Sequence, residues 1–94
     1  MARIIVSRHP AAIAFIRENA PEFADAPVIQ TATPENVRGH IVAGNIPLHL
    51  AALATEVLAV EFNGTPPRGQ EYGVNDMYEA GARLARYVVL AQGE

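Results

Sequence analysis

Four consecutive residues, Ser7-Arg8-His9-Pro10, place a hydroxyl, a permanently charged guanidinium and an imidazole directly ahead of a proline. Proline suits the first position of a helix, because the N–H it lacks is one that a helix start leaves unpaired. The other free N–H groups and the positive end of the helix dipole then face the turn, a setting that favours a bound anion such as phosphate. Arg8 adds a forked donor matched to phosphate oxygens and Ser7 a hydroxyl. His9 adds the side-chain type that exchanges protons near neutral pH. The same residues equally make a plain helix start, with Ser7 or His9 as cap and Arg8 in solvent.

Two further turns carry unusual chemistry. In Gly44-Asn45-Ile46-Pro47 the glycine allows close backbone approach and Asn45 offers both donors and acceptors, which suits a sugar, base or phosphate edge. Gly-Asn before a Pro-started helix is also ordinary turn chemistry. Arg68-Gly69-Gln70-Glu71 lies in a Gly- and Pro-rich loop over residues 63–73, where Arg68 can reach a phosphate or simply occupy a solvated tip. His9, His40 and His49 match no metal-ligand spacing, and no Asp/Glu cluster accompanies them, so no metal is expected. With no cysteine, disulfides, thiolate catalysis and the usual structural zinc sites are excluded. Neither a G-x-G-x-x-G nor a P-loop is present, so a dinucleotide dehydrogenase or an NTPase has no support, and no cofactor is expected.

These turns need elements to hold them. Ile4-Ile5-Val6 predicts a strand covered on both faces. Ile13, Ile16 and Ala20 recur at helical spacing after Pro10, and Pro21 ends that helix. Pro27-Val28-Ile29-Gln30-Thr31 reads as a second strand, Thr33-Pro34-Glu35-Asn36 as a turn or single helical turn, and Ile41-Val42-Ala43 as a third strand. A second helix opens at Pro47 with Leu50, Leu53, Ala54 and Val57 on one face, followed by a strand Leu58-Ala59-Val60-Glu61-Phe62. A third helix is expected from Asn75 to about Gln92, with Met77, Tyr78, Gly81, Leu84, Ala85 and Val88 inward and Glu79 paired to Arg83. Tyr87 to Leu90 reads alternatively as a terminal strand. Strands alternating with helices imply a Rossmann-like α/β fold, a mainly parallel sheet of about four strands with three helices. Ligands of such sheets bind beyond the carboxyl ends of the strands, the edge to which all three turns belong.

Length and composition set the remaining expectations. Ninety-four residues argue for one domain over 1–94. Half the residues are apolar, but seventeen are Ala, so the core is thin and a second copy of the chain is expected to complete it. The net charge of −3 disfavours long nucleic acid as a partner. All seven basic residues are Arg, which suits a few fixed phosphate contacts or reflects a codon bias. No stretch approaches the roughly 18 apolar residues of a spanning helix, so no membrane partner is expected, and the lack of cysteine fits a cytoplasmic protein.

Val6-Ser7-Arg8-His9-Pro10-Ala11-Ala12-Ile13 is followed by Gly44-Asn45-Ile46-Pro47-Leu48-His49-Leu50-Ala51-Ala52. Arg68-Gly69-Gln70-Glu71 and Asn75-Asp76-Met77 come next. In this order and spacing the chain resembles the small CRISPR-associated proteins of type III systems, a Ser-Arg-His-Pro family related to the CARF-domain ring nucleases. The resemblance spans roughly residues 4–84. It implies a Rossmann-like homodimer that binds a cyclic oligoadenylate second messenger, with cyclic tetra-adenylate the favoured ring, and cleaves it without a metal. A ribose 2′-hydroxyl of the ligand would attack its own phosphate, giving linear products with 2′,3′-cyclic phosphate ends and switching off antiviral signalling. Arg8 would then be the charge clamp and His9 the proton shuttle or phosphate donor. Ser7 and Asn45 would position ribose and phosphate, and Arg68 would close over the ligand. Two other readings stay open: a cyclic-nucleotide sensor or sequestering module that does not cut, and an ancillary interaction protein.

Overall fold

In the computed structural model, which describes residues 2–63 and 72–93, the β-branched run near the start is a strand, β1 (Arg3–Val6). It is central: β2 (Val28–Ile29) pairs with it in parallel on one side and β3 (Ile41–Ala43) on the other. Next to β3 lies β4 (Glu56–Phe62), also parallel, and the sheet order is β2-β1-β3-β4-β5. β5 (Ala82–Tyr87) closes this five-stranded sheet antiparallel to β4. Alternation along the strands sends apolar side chains to both faces. Ile5, Leu58 and Val60 meet Phe15 and Ile16 of α1 (Pro10–Asn19), Phe23 of a 3-10 turn (Pro21–Phe23) and Met77 of α4 (Val74–Glu79). Ile4, Val6, Val42 and Val57 meet Val37 of α2 (Pro34–Val37) and Leu50 and Ala51 of α3 (Leu48–Ala51) on the opposite face. Among the described residues no helix is long and apolar enough to cross a membrane.

The α/β architecture with a mostly parallel sheet agrees with the sequence pattern, and its element count exceeds it by one strand and one helix. Pro10 starts α1 and Ala20-Pro21 ends it, as the sequence indicates. The stretch 33–36 resolves into the short helix α2, capped by Thr33, whose Oγ1 accepts from Asn36 N–H at 3.2 Å. Two expectations are corrected. The helix after Pro47 is a single turn, and Val57 belongs to β4, where it pairs with Val42.

The expected helix over 75–92 stops at Glu79. Gly81, at φ +76°, adopts the left-handed conformation that ends helices and turns the chain back along β4. β4 then offers Arg83 and Arg86 better partners than a helix does: Arg83 meets Glu61 at 3.1 Å, not Glu79, and Arg86 bridges Glu56 at 2.6 Å and Glu22 at 3.0 Å. The alternative strand over 87–90 is also displaced, since β5 ends at Tyr87.

Candidate functional site

The strand order places the site. β2 and β3 leave β1 on opposite sides, so the sheet's switch point lies between the carboxyl ends of β1 and β3, where a doubly wound sheet opens a crevice. The turn after β1 holds Ser7, Arg8 and His9; the turn after β3 holds Gly44 and Asn45. Both line one cleft of about 290 Å³, floored by Ile16, Val60 and Met77, with Gln30, Phe62 and Tyr72 on its sides. Among the described residues that line it there is one guanidinium and no carboxylate.

Each side chain is held by a neighbouring strand or helix. The Ser7 N–H extends the β1–β2 ladder to Ile29 O at 3.1 Å. Its Oγ accepts from the His9 N–H at 3.1 Å and donates to the His9 carbonyl oxygen at 3.5 Å, which tightens the turn. His9 is the N-cap of α1 in extended conformation, and its carbonyl accepts the Ile13 N–H at 3.1 Å. The N–H groups of Ala11 and Ala12 fall in the first turn, where no helical carbonyl precedes them. Arg8 leans on the chain after β2: Nη2 donates to Thr31 Oγ1 at 2.9 Å and Nε to Gln30 O at 3.4 Å. Those bonds fix one edge of the fork and leave the other for an anion. The imidazole of His9 stacks on Tyr72, ring centroids 5.7 Å apart and planes inclined by 22°.

On the β3 side, Gly44 is a conformational necessity. Its φ is +132°, and a Cβ there would sit 2.1 Å from the Val6 carbonyl oxygen. Only glycine lets the ends of β1 and β3 approach this closely. Asn45 then uses its side chain as the next rung of the β3–β4 ladder: Nδ2 donates to Val60 O at 3.0 Å, and Oδ1 accepts from Val60 N–H at 2.8 Å. One amide proton and one oxygen lone pair remain.

Ser7, Arg8, His9 and Asn45 are thus brought together, and Arg68 lies outside the described residues. Three contributors escaped the sequence reading. Gln30 and Thr31 read as strand, yet the parallel pairing of Val6 with Ile29 carries them to the turn beside Arg8. Tyr72 had only the signal of an aromatic closing a Gly- and Pro-rich loop. Among the described residues no three His, Asp or Glu side chains converge as a metal-holding group.

A family model described as "Putative CRISPR-associated protein (Cas_VVA1548)" matches residues 4–90. No curated protein and no solved structure matches the chain.

Proposed function

Since the chain belongs to the Cas_VVA1548 family of CRISPR-associated proteins, we propose that it is a ring nuclease of type III systems that opens a cyclic oligoadenylate, with cyclic tetra-adenylate the favoured ring. The observation that carries this reading is the cleft at the switch point. There a charged fork, a hydroxyl, an imidazole and a helix start converge on a space the size of one nucleotide unit, free of carboxylates among its described residues. Such a site favours a phosphodiester.

The chemistry asks little of the protein, because the ligand carries its own nucleophile. A ribose 2′-oxygen attacks the adjoining phosphorus in line, the bond from phosphorus to the 5′-oxygen breaks, and a 2′,3′-cyclic phosphate and a 5′-hydroxyl result. Arg8 stabilises charge on the phosphate, with the free N–H groups at the start of α1 behind it. His9 moves a proton, taking it from the 2′-hydroxyl or giving it to the 5′-oxygen. Ser7 and the spare valences of Asn45 hold phosphate and ribose, and Arg68, for which a ligand contact is expected from sequence, lies outside the described residues. No metal or cofactor takes part in this scheme.

A volume of about 290 Å³ sits at the lower end of the roughly 300–1,000 Å³ of small-molecule sites, so one cleft accommodates part of a cyclic tetranucleotide. A two-fold homodimer would carry the turn twice, once in each copy. The face for the second copy is the α3 side of β4 and β5. There Leu48 and Tyr87 stand exposed beside a hollow of about 250 Å³ whose walls include Gly44, Ala51 and Ala59. Protruding and recessed apolar groups lie side by side there, which is what a two-fold contact with a second copy needs. The proposed setting is the cytoplasm, with neither long nucleic acid nor membrane as partner.

The test is incubation of the purified chain with cyclic tetra-adenylate in EDTA, with linear products followed by chromatography. Cleavage is expected, reduced about 10²–10³-fold in Arg8→Ala and about 10²–10⁴-fold in His9→Ala. No turnover by the parent, or variants that match it, overturns the reading. Tight binding with the ligand recovered intact assigns the chain to sequestration instead.

A further inference from the structure

Tyr72 and His9 are far apart in sequence, and both immediately precede or form the start of a helix. His9 is the N-cap of α1; Tyr72 precedes Gly73, the N-cap of α4. Gly73 is locked by its own helix, its N–H donating to Asp76 Oδ2 at 2.8 Å. α4 is in turn fastened to α1. Met77 is buried in the core shared with Phe15 and Ile16, and Tyr78 Oη donates to Glu18 Oε1 at 2.9 Å and accepts from Asn19 Nδ2 at 2.9 Å. The Phe15 and Tyr78 rings also pack at 5.0 Å. Two clamped helices therefore set the distance between the two rings at their starts.

Among the described residues the His9 imidazole has no hydrogen-bond partner, so its stack on Tyr72 is the contact that orients it. We propose that Tyr72 is a positioning residue that fixes the plane of the His9 ring, and with it the direction in which the ring nitrogens face the cleft. The consequence for catalysis rests on the cleavage reading above. A proton shuttle misplaced by about 1 Å costs on the order of 100-fold in rate. The contact is made by the face of the ring, so a phenyl ring serves as well as a phenol.

The test uses Tyr72→Phe and Tyr72→Leu in the full chain. With three histidines in the sequence, the His9 ring protons are assigned by their loss in His9→Ala. In the parent and in Tyr72→Phe these protons are expected to carry a ring-current shift that Tyr72→Leu abolishes, while those of His40 and His49 stay in place. Turnover of cyclic tetra-adenylate should be nearly unchanged in Tyr72→Phe and fall about 10- to 100-fold in kcat in Tyr72→Leu, with a smaller change in KM. His9 resonances unmoved in Tyr72→Leu, or equal kcat in the two variants, overturn the proposal. Ring-current loss in Tyr72→Leu with no turnover by the parent upholds the positioning and overturns cleavage alone.

Discussion

Asn45 shows how a polar residue at a site divides its valences between building and binding. Its amide replaces a strand residue opposite Val60, a buried position whose N–H and C=O would otherwise lose their partner. Asn45→Ala should cost about 1–3 kcal/mol through those two unpaired groups, a drop of roughly 4–8 °C in Tm for each kcal/mol in a chain of this size. Asn45→Asp keeps the acceptor for the Val60 N–H but turns a carboxylate oxygen towards the Val60 carbonyl. At neutral pH its thermal unfolding should fall at least as far as that of the alanine variant. Acidification should narrow the gap, because a protonated carboxyl can donate where the amide did. Equal melting of Asn45→Ala and the parent would mean that the ladder does not depend on this side chain.

Among the elements, β5 was the hardest to anticipate. Leu84 and Ala85 fit a helical stripe continued by Met77, Gly81 and Val88 as well as they fit a strand, and periodicity alone does not separate the two over so short a span. What decides is tertiary: the open edge of β4 and the carboxylates at Glu56 and Glu61 that meet Arg86 and Arg83. Buried strands and Pro-started helices were legible because their signals are local, as at Ile4-Ile5-Val6 and Pro10. The turn after β1 was legible for the same reason, whereas Thr31 and Tyr72 reach the site only through pairing and packing. The outer end of β5 carries a pH signature. Tyr87 lies opposite Val57, yet its phenol donates to Glu61, so the ring must run along the strand pair over Ala59 and Ala85. That hydrogen bond to the Glu61 carboxylate, reinforced by its charge, holds the phenol above its ordinary value of 10.0. A proton held more tightly in the folded state stabilises the fold fully below about pH 10, and the benefit is lost as pH rises through the raised value. Denaturant unfolding from about pH 8 to about pH 11 should therefore show a steeper alkaline loss in the parent than in Tyr87→Phe. Parallel profiles would refute the linkage.

For the molecule as a whole, the outstanding feature is apolar surface that its own helices leave uncovered. Leu48 is 75% exposed at the start of a one-turn helix. On the proposed homodimer it is a contact, and Leu48→Asp removes that contact without touching the core. Light scattering should give the parent twice the chain mass of 10.1 kDa and the variant close to one, with unchanged circular dichroism. A parent that runs as a monomer at micromolar concentration would refute the pairing. The position of Gly44 and Asn45 has a further consequence, since the two residues line both the cleft and the hollow on the opposite face. If the chain captures a messenger in the cleft and pairs through the hollow, as proposed, the shared Gly44-Asn45 wall would link the two equilibria, and each would then alter the other by the same factor. On those proposals abundance would act as a dial: scarce chains would leave a faint alarm sounding, and accumulated chains would silence it.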